Sequence, residues 1–355
     1  MRSRVFVARL ILLVVSTTGV VVAVEIALRI HAWSTDPARA DDSERLEASR
    51  RAEVPTRAET ASLLGLVQPS SHPSIIYELN PNLAGSFLQR PVRTNAHGMR
   101  DRGFRFEKPP GTHRVVGLGD SVMFGWGVAA EESYMGILAD ELQTRQSAVE
   151  VLNFAVPGYN TVMEVATFRA KALAFDPDVV LLHVIRNDMD LPRFLLQPRR
   201  VWGFDRWYLV DLIRGAAPRG MEGYWLEPHD LEGLSHEDRQ RVDERYRFLV
   251  GEEAFKGALA DLASDCRPRG IEVLVIVPSC QGEMWSVVCG AARELGFSVL
   301  ELGPHLGRYL AENNLPNNRE TWIRTFWLSH SDPHPNPLSH EIYGEAILDW
   351  LDTRL

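Results

Sequence analysis

A serine at the end of an apolar run is the residue of this chain best placed to do chemistry. Ser121 follows Arg114-Val-Val-Gly-Leu-Gly119-Asp120, a pattern that predicts a buried strand ending in glycine. Open α/β sheets place their chemistry at the carboxyl ends of strands, and a serine there can act as a nucleophile once a base takes its proton. Ser121 is therefore the candidate nucleophile. Its backbone N–H, at a strand-to-helix turn, is a candidate oxyanion donor.

The base is expected from a proline-rich stretch near the end of the chain. Asp332 and His334 each precede a proline, which favours an extended backbone. Side chains at i and i+2 of an extended segment point to the same face, so the Asp332 carboxylate can orient the His334 imidazole. His330 and His340 are competing bases. The start of a helix explains His340 adequately, whereas His330 is harder to exclude.

Two further positions offer hydrogen-bond donors to a developing oxyanion. Gly158 follows a proline and lets the backbone approach a substrate closely, although an ordinary turn also explains it. Asn187 follows the apolar run Val179–Ile185 and offers a side-chain N–H; its alternative is an Asx turn that ends the strand. Trp126 is predicted to bind substrate.

Motifs for other chemistry are incomplete. The pair Gly117-x-Gly119 lacks the third glycine of a dinucleotide fingerprint, because Val122 occupies that place. Met123 stands where a Gly-x-Ser-x-Gly elbow requires glycine. Asp332 with His334 is too small a set for a zinc site. The sequence therefore predicts neither metal nor cofactor, and its net charge of −9 argues against nucleic-acid binding.

The elements that must position these residues alternate between strands and helices. The strand candidates are apolar on both faces, which is typical of a parallel sheet covered by helices on both sides, and so predicts an α/β fold. The strands are predicted at Val115–Leu118, Val149–Phe154, Val179–Ile185, Glu272–Val277 and Val299–Leu302, and the helices at Tyr134–Arg145, Val162–Leu173, Glu252–Cys266, Glu283–Leu295 and Leu338–Leu351.

Residues 1–33 are predicted to form a membrane anchor. Val5–Val24 is almost wholly apolar and about long enough to cross a bilayer as a helix. Arg2 and Arg4 precede it, which favours a cytoplasmic amino terminus. Val22-Ala-Val24 loosely resembles a cleavage site, so a signal segment is the alternative. In both cases the bulk of the chain is expected outside the cytoplasm, with the membrane as a partner if the helix is retained.

The rest of the chain divides into a polar linker at 34–62, a turn-rich extension at 63–110 packed on the main domain, and a catalytic domain at 111–355. An insertion at about 189–250 interrupts the strand–helix alternation and is rich in tryptophan and tyrosine. It forms either a small core of its own or a cap over the site. Cys280 and Cys289 either pair in an oxidising compartment or remain free, leaving Cys266 alone.

Together these features resemble the SGNH, or GDSL-type, hydrolase superfamily. Its four blocks are matched in order by Gly119-Asp120-Ser121, Asn153-Phe-Ala-Val-Pro-Gly158, Arg186-Asn187-Asp188 and Asp332-Pro-His334-Pro-Asn336. The stretch Asn95-Ala-His-Gly98-Met-Arg100-Asp101 is similar to the lead-in of membrane-anchored bacterial members. The resemblance implies a flavodoxin-like three-layer fold, with a five-stranded parallel sheet, and hydrolysis of an ester through an acyl-serine.

Two departures from the family pattern affect the functional prediction. Arg186 stands where a glycine is common, so its side chain is predicted to narrow the site or contact substrate. The Asp-x-His spacing is shorter than the Asp-x-x-His of many members. The shorter spacing is similar to that of the alginate-type O-acetyltransferase relatives. The sequence predicts an exported serine esterase acting on an acyl ester, foremost an acetyl ester, of a glycan, with a lipid or small acyl ester as the comparable alternative substrate. The alternatives are an O-acetyltransferase acting on an envelope or secreted polysaccharide, and a non-catalytic glycan-binding module.

Overall fold

The computed structural model describes the following residues: 2–34, 63–145, 148–196, 207, 209–210, 226–228 and 242–355. The chain divides into two compact units, one of residues 1–53 with 196–227 and the other of residues 54–195 with 228–355. All the predicted site residues belong to the second unit. Most of the predicted linker and most of the predicted insertion lie outside the described residues.

A long helix makes up most of what is described in the first unit. This helix, α1, spans Arg2–Ser34. Its stretch Leu13–His31 is long and apolar enough to cross a membrane, a test of length and composition that a signal sequence also passes. Within it, Glu25 and Arg29 lie one turn apart and form a buried ion pair of 2.8 Å.

The second unit is built around one parallel sheet, which confirms the predicted α/β class. From one edge to the other, its five strands are β11 (Ser298–Glu301), β10 (Glu272–Val277), β7 (Val179–His183), β5 (His113–Leu118) and β6 (Val149–Asn153). The strand β5 therefore lies between β7 and β6. Each predicted strand forms, with ends shifted by at most two residues, which is within the ordinary fraying of element ends.

Helices cover both faces of this sheet because its strands are apolar on both faces. Val116 and Leu118 of β5 pack into the core beneath α5, α6 and α7 (Thr161–Ala170, Glu252–Cys266 and Glu283–Glu294). Gly117 points the opposite way, where a Cβ would collide with Met135 of α4 (Tyr134–Arg145). On that second face α4 packs against the last helix, α10 (Pro337–Leu351).

Some elements differ from the sequence prediction. The predicted helix Val162–Leu173 ends at Ala170, and a 3-10 turn, Ala172–Phe175, follows it. Several elements had no predicted counterpart, among them three helices and a hairpin of the 111–355 domain. They are α3 (Ser121–Phe124), α8 (Gly303–Glu312), α9 (Arg319–Phe326) and the antiparallel pair β12 (Trp327–Ser329) and β13 (Asp332–Pro335).

Residues 63–110 form short elements in the same compact unit as the sheet. A helical turn, α2 (Leu63–Leu66), leads into two antiparallel pairs, and no strand among them exceeds four residues. The pairs are β1 (Val67–Pro69) with β2 (Tyr77–Leu79), and β3 (Ala84–Phe87) with β4 (Arg90–Arg93). The remaining elements are β8 (Phe194–Leu196), β9 (Leu226–Pro228) and the 3-10 turns Glu244–Leu249 and Arg267–Arg269.

The structure decides between paired and free cysteines, because Cys280 and Cys289 lie close together. Cys280, in the loop after β10, forms a disulfide with Cys289 of α7, and their Cα atoms lie 5.8 Å apart. Cys266 is free and buried, and burial raises the pKa of its thiol to about 12. Cys266 is thus an unreactive structural thiol.

Candidate active site

The Ser121 hydroxyl lies against the His334 imidazole. Ser121 Oγ is 2.9 Å from His334 Nε2, and His334 Nδ1 is 2.6 Å from Asp332 Oδ1. Because the carboxylate takes the hydrogen bond from Nδ1–H, Nε2 is the nitrogen left to accept the serine proton. The structure thus brings together the three residues that the sequence predicted as nucleophile, base and orienter.

The short Asp-x-His spacing works because β13 is extended. Asp332 and His334 are the first and third residues of this strand, so their side chains share one face. The same carboxylate oxygen, Asp332 Oδ1, also accepts the backbone N–H of His334 at 3.1 Å. This local bond fixes the carboxylate next to the ring that it orients.

The two competing histidines lie elsewhere. Among the described residues, the Ser121 hydroxyl makes its hydrogen bonds with His334 and Asp120. His330 is exposed in the turn between β12 and β13. His340 is fully buried, its Nδ1 accepts the backbone N–H of Tyr134 at 3.3 Å, and burial lowers its pKa to about 3. His340 is therefore a neutral core residue.

Ser121 begins the short helix α3, and Asp120 is its N-cap. Asp120 Oδ1 accepts the backbone N–H of Val122 at 3.0 Å, while Oδ2 lies 3.1 Å from the Ser121 hydroxyl. A hydroxyl has one hydrogen to donate, so Asp120 competes with His334 for it. Burial is the main cause of a raised pKa at Asp120, which weakens this competitor as an anionic acceptor.

The predicted oxyanion donors follow the two strands that flank β5. Gly158 lies in the turn after β6, and Asn187 in the loop after β7. Because parallel strands end at the same edge of a sheet, the donors at 158 and 187 and the Ser121 N–H lie along one rim. Gly158 has φ +78°, the left-handed conformation that favours glycine.

A buried polar cluster fixes the loop that carries Asn187. Asp188 is buried, accepts the Thr161 hydroxyl at 2.6 Å and accepts the backbone N–H of Ile185. Glu164, on the same helix as Thr161, is also buried, and its carboxyl oxygens make no hydrogen bond to the described residues. Burial raises the pKa of Glu164 well above its ordinary value, and the negative charge of Asp188 adds to this effect.

We expect Glu164→Gln to be more stable than the wild type, by a margin that grows as pH rises. The folded chain holds the Glu164 proton, whereas the unfolded chain releases it above about pH 4.5. The free energy of unfolding of the wild type therefore decreases as pH rises above this value. Glutamine keeps the shape without that penalty. The free-energy difference between variant and wild type should grow by up to about 1.4 kcal/mol per pH unit above pH 4.5. Urea unfolding between pH 4 and pH 8 measures it; a difference that stays flat would contradict the prediction. The exposed Glu312→Gln controls for net charge.

The two residues predicted to bind substrate have different surroundings. The Trp126 ring stacks on the His334 ring, with centroids 4.8 Å apart and 17° between the planes. Its Nε1–H donates to Asp332 Oδ2 at 3.2 Å. Arg186 is exposed at the start of the Asn187 loop. Trp126 thus contacts the Asp332–His334 pair itself, whereas Arg186 faces the surface.

Two residues of the 63–110 extension support the site, and sequence reasoning assigned neither a role. Tyr77 is fully buried, and its hydroxyl donates to Pro157 O at 3.1 Å, directly before Gly158. Arg100 is buried and donates to Phe124 O and Gly125 O at 2.8 and 2.6 Å, at the end of α3. The only available sequence signal was the lead-in motif that contains Arg100.

No group of three or more metal-ligating side chains occurs among the residues that the structure describes. A serine, a base that faces it and a carboxylate that orients the base are the parts required for nucleophilic attack on an acyl carbon.

Comparison with known protein families gives a match to part of the chain, the part that contains Ser121. Residues 118–274 match the model of the GDSL-like lipase/acylhydrolase family, a stretch that includes Ser121, Gly158 and Asn187 and ends before the β12–β13 hairpin. No curated protein matches the chain.

Solved structures with a similar fold include a mutant of Axe2, an acetyl-xylooligosaccharide esterase from Geobacillus stearothermophilus. It is 14% identical over 68% of this chain and 95% of its own, with a TM-score of 0.42. The acetyl xylan esterase AlAXEase is 15% identical over 67% of this chain and 99% of its own, with a TM-score of 0.41. LAE5, an α/β hydrolase from the metagenome of Lake Arreo, Spain, is 14% identical over 69% of this chain and 96% of its own, with a TM-score of 0.41. The family match is the finding that bears on identity: residues 118–274, which contain Ser121, are similar to the GDSL-like lipase/acylhydrolase family, a family of enzymes that act on ester bonds.

Proposed function

We propose that the protein is an exported serine esterase that cleaves an acyl ester through an acyl-Ser121 intermediate. The observation that carries this proposal is the continuous hydrogen-bonded series from Asp332 Oδ1 through His334 to Ser121 Oγ. The same series argues against the non-catalytic glycan-binding alternative, since a binding module has no need of a base aligned on a serine.

The geometry supports a two-step reaction. Ser121 Oγ attacks the ester carbonyl while His334 Nε2 takes its proton, and Asp332 stabilises the imidazolium that forms. The backbone N–H groups of Ser121 and Gly158 and the side-chain amide of Asn187 are the proposed donors to the oxyanion. The protonated His334 then donates its proton to the leaving alcohol, and a water molecule, activated by the same imidazole, releases the acid.

Two observations support a location outside the cytoplasm. The Cys280–Cys289 disulfide is a bond that persists in oxidising compartments. Leu13–His31 can span a membrane, and the arginines at positions 2 and 4 favour a cytoplasmic start for that span. We propose a single-pass anchor with the catalytic domain on the outer side, where acetylated glycans of the envelope or secreted polysaccharides are available as substrates.

A covalent probe tests the proposal. A fluorophosphonate should label the wild-type protein, and mass spectrometry of the digested adduct should place the label on the peptide that contains Ser121. Ser121→Ala should lose both the label and turnover of 4-nitrophenyl acetate. Absence of labelling together with absence of turnover on a panel of acyl esters and acetylated glycans would contradict it.

The same assay separates hydrolysis from transfer. Because the extended β13 aligns Asp332 with His334, the short spacing is compatible with an ordinary hydrolytic triad. Addition of a glycan acceptor to the acetyl-ester assay should therefore leave acetate as the main product. Acetylated glycan as the main product would favour the O-acetyltransferase alternative.

A further inference from the structure

The indole of Trp126 contacts both members of the Asp332–His334 pair. Asp332 uses Oδ1 for His334 and Oδ2 for Trp126, so each carboxylate oxygen has its own donor. The indole and imidazole planes are almost parallel at 4.8 Å. Trp126 thus touches the base by its face and the orienting carboxylate by its N–H.

The turn that carries Trp126 is held in place from several directions. Gly125 and Gly127 flank it with φ of +84° and +72°. The Trp126 backbone N–H donates to Ser121 O at 3.0 Å, which ties the turn to the nucleophile. On its outer side the indole meets the Phe87 ring edge to face, with centroids 4.8 Å apart.

Arg100 braces the same turn by donating to carbonyl groups on either side of Trp126. Its guanidinium nitrogens lie 2.6 Å from Gly125 O and 2.8 Å from Val128 O, and the side chain is buried. A buried guanidinium with several carbonyl partners makes a rigid support, because removing any partner leaves a charged donor unsatisfied.

We propose that Trp126 is a positioning residue that fixes the relative orientation of Asp332 and His334. This assignment rests on the proposed function, since it concerns the same base. The N–H bond holds the carboxylate plane so that Oδ1 faces Nδ1. The stacked ring limits rotation of the imidazole and stabilises it when it becomes a cation, as aromatic faces do for adjacent positive charge.

This role differs from the substrate binding that the sequence suggested. The indole N–H is already engaged by Asp332, and one ring face is covered by His334. A residue that acts through the base should change kcat, whereas a residue that binds the ester equally before and during reaction should change KM.

Two substitutions divide the role into its parts. Trp126→Phe keeps an aromatic ring over His334 but removes the N–H donor. We expect kcat for 4-nitrophenyl acetate to fall about tenfold or more, the effect of losing a hydrogen bond to a charged group, with KM within about twofold. Trp126→Leu also removes the stack and should lower kcat by a further factor of about 3–10.

The matched control is Trp322→Phe. Trp322 Nε1–H donates to Asn317 Oδ1 at 2.6 Å, and its ring packs edge to face on Phe326. This substitution therefore deletes an indole donor whose partner is neither Asp332 nor His334, and it retains an aromatic contact. It should leave kcat and KM within about twofold of wild type, an interval well below the loss of a charged hydrogen bond.

A proton NMR measurement in the Ser121→Ala background gives a readout that does not require turnover. The Nδ1–H of His334, bonded to Asp332 at 2.6 Å, should give a downfield signal that broadens or disappears with Trp126→Phe. A raised KM at unchanged kcat, or an unaltered signal and kcat, overturns the assignment. An inactive wild type whose signal is lost in Trp126→Phe would refute the proposed function and retain this inference.

Discussion

His334→Ala is expected to abolish esterase turnover, lowering kcat by about 10⁶, as when one member of a catalytic unit is removed from a serine hydrolase. The reason is geometric, because His334 Nε2 is the nitrogen 2.9 Å from Ser121 Oγ. Without the ring the serine keeps its proton and is a weak nucleophile at neutral pH. Steady-state kinetics with 4-nitrophenyl acetate measure the loss, and the rate of fluorophosphonate labelling of Ser121 should fall in parallel.

His330→Ala is the matched control for this variant. His330 lies four residues earlier, between the two strands of the same hairpin, and is exposed. Its removal should leave kcat within about twofold, because the Ser121 hydroxyl bonds to His334 and Asp120 instead. The fold should also be retained, since such surface substitutions change stability little. Equal losses in the two variants would mean that the base assignment is wrong or that the hairpin has lost its fold, and circular dichroism separates these outcomes.

The parts of the site that were predictable are those that depend on local geometry. The Asp332–His334 pairing follows from prolines that hold an extended backbone, and the five strands follow from apolar runs that must be buried on both faces. Both arguments use residues that are near one another in sequence. The structure confirms the parallel sheet and places the predicted base on the predicted nucleophile.

The parts that were not predictable depend on contacts between distant segments. Tyr77 supports Pro157 across 80 residues, and Trp126 reaches Asp332 across 206. No periodicity in the sequence records such pairs, because each is specified by how the sheet and the hairpin are brought together. The same reason applies to Cys280 and Cys289, whose pairing depends on the distance between a loop and a helix that the sequence alone does not give.

Long-range support also explains why Gly158→Ala should have the second large effect. A Cβ on Gly158 would lie 2.3 Å from Arg193 Cβ and 2.9 Å from the Tyr77 hydroxyl, both too close for real contacts. The backbone at φ +78° adds about 1–2 kcal/mol of strain for an L-residue. The turn must therefore shift, and its N–H must leave the oxyanion position. We expect kcat to fall by about 10²–10³, the usual cost of one lost oxyanion donor.

Gly257→Ala separates this effect from the general consequences of adding a methyl group. Gly257 lies in α6, is exposed, and a Cβ there meets nothing within 4 Å. Alanine should stabilise that helix by about 0.5–1 kcal/mol and leave kcat unchanged. Gly158→Ala should instead lower both the urea midpoint and kcat. Loss of a true oxyanion donor must lower kcat. A Gly158→Ala protein with normal kcat would therefore show that Gly158 N–H is not a donor, and would leave Ser121 N–H and Asn187 in that role.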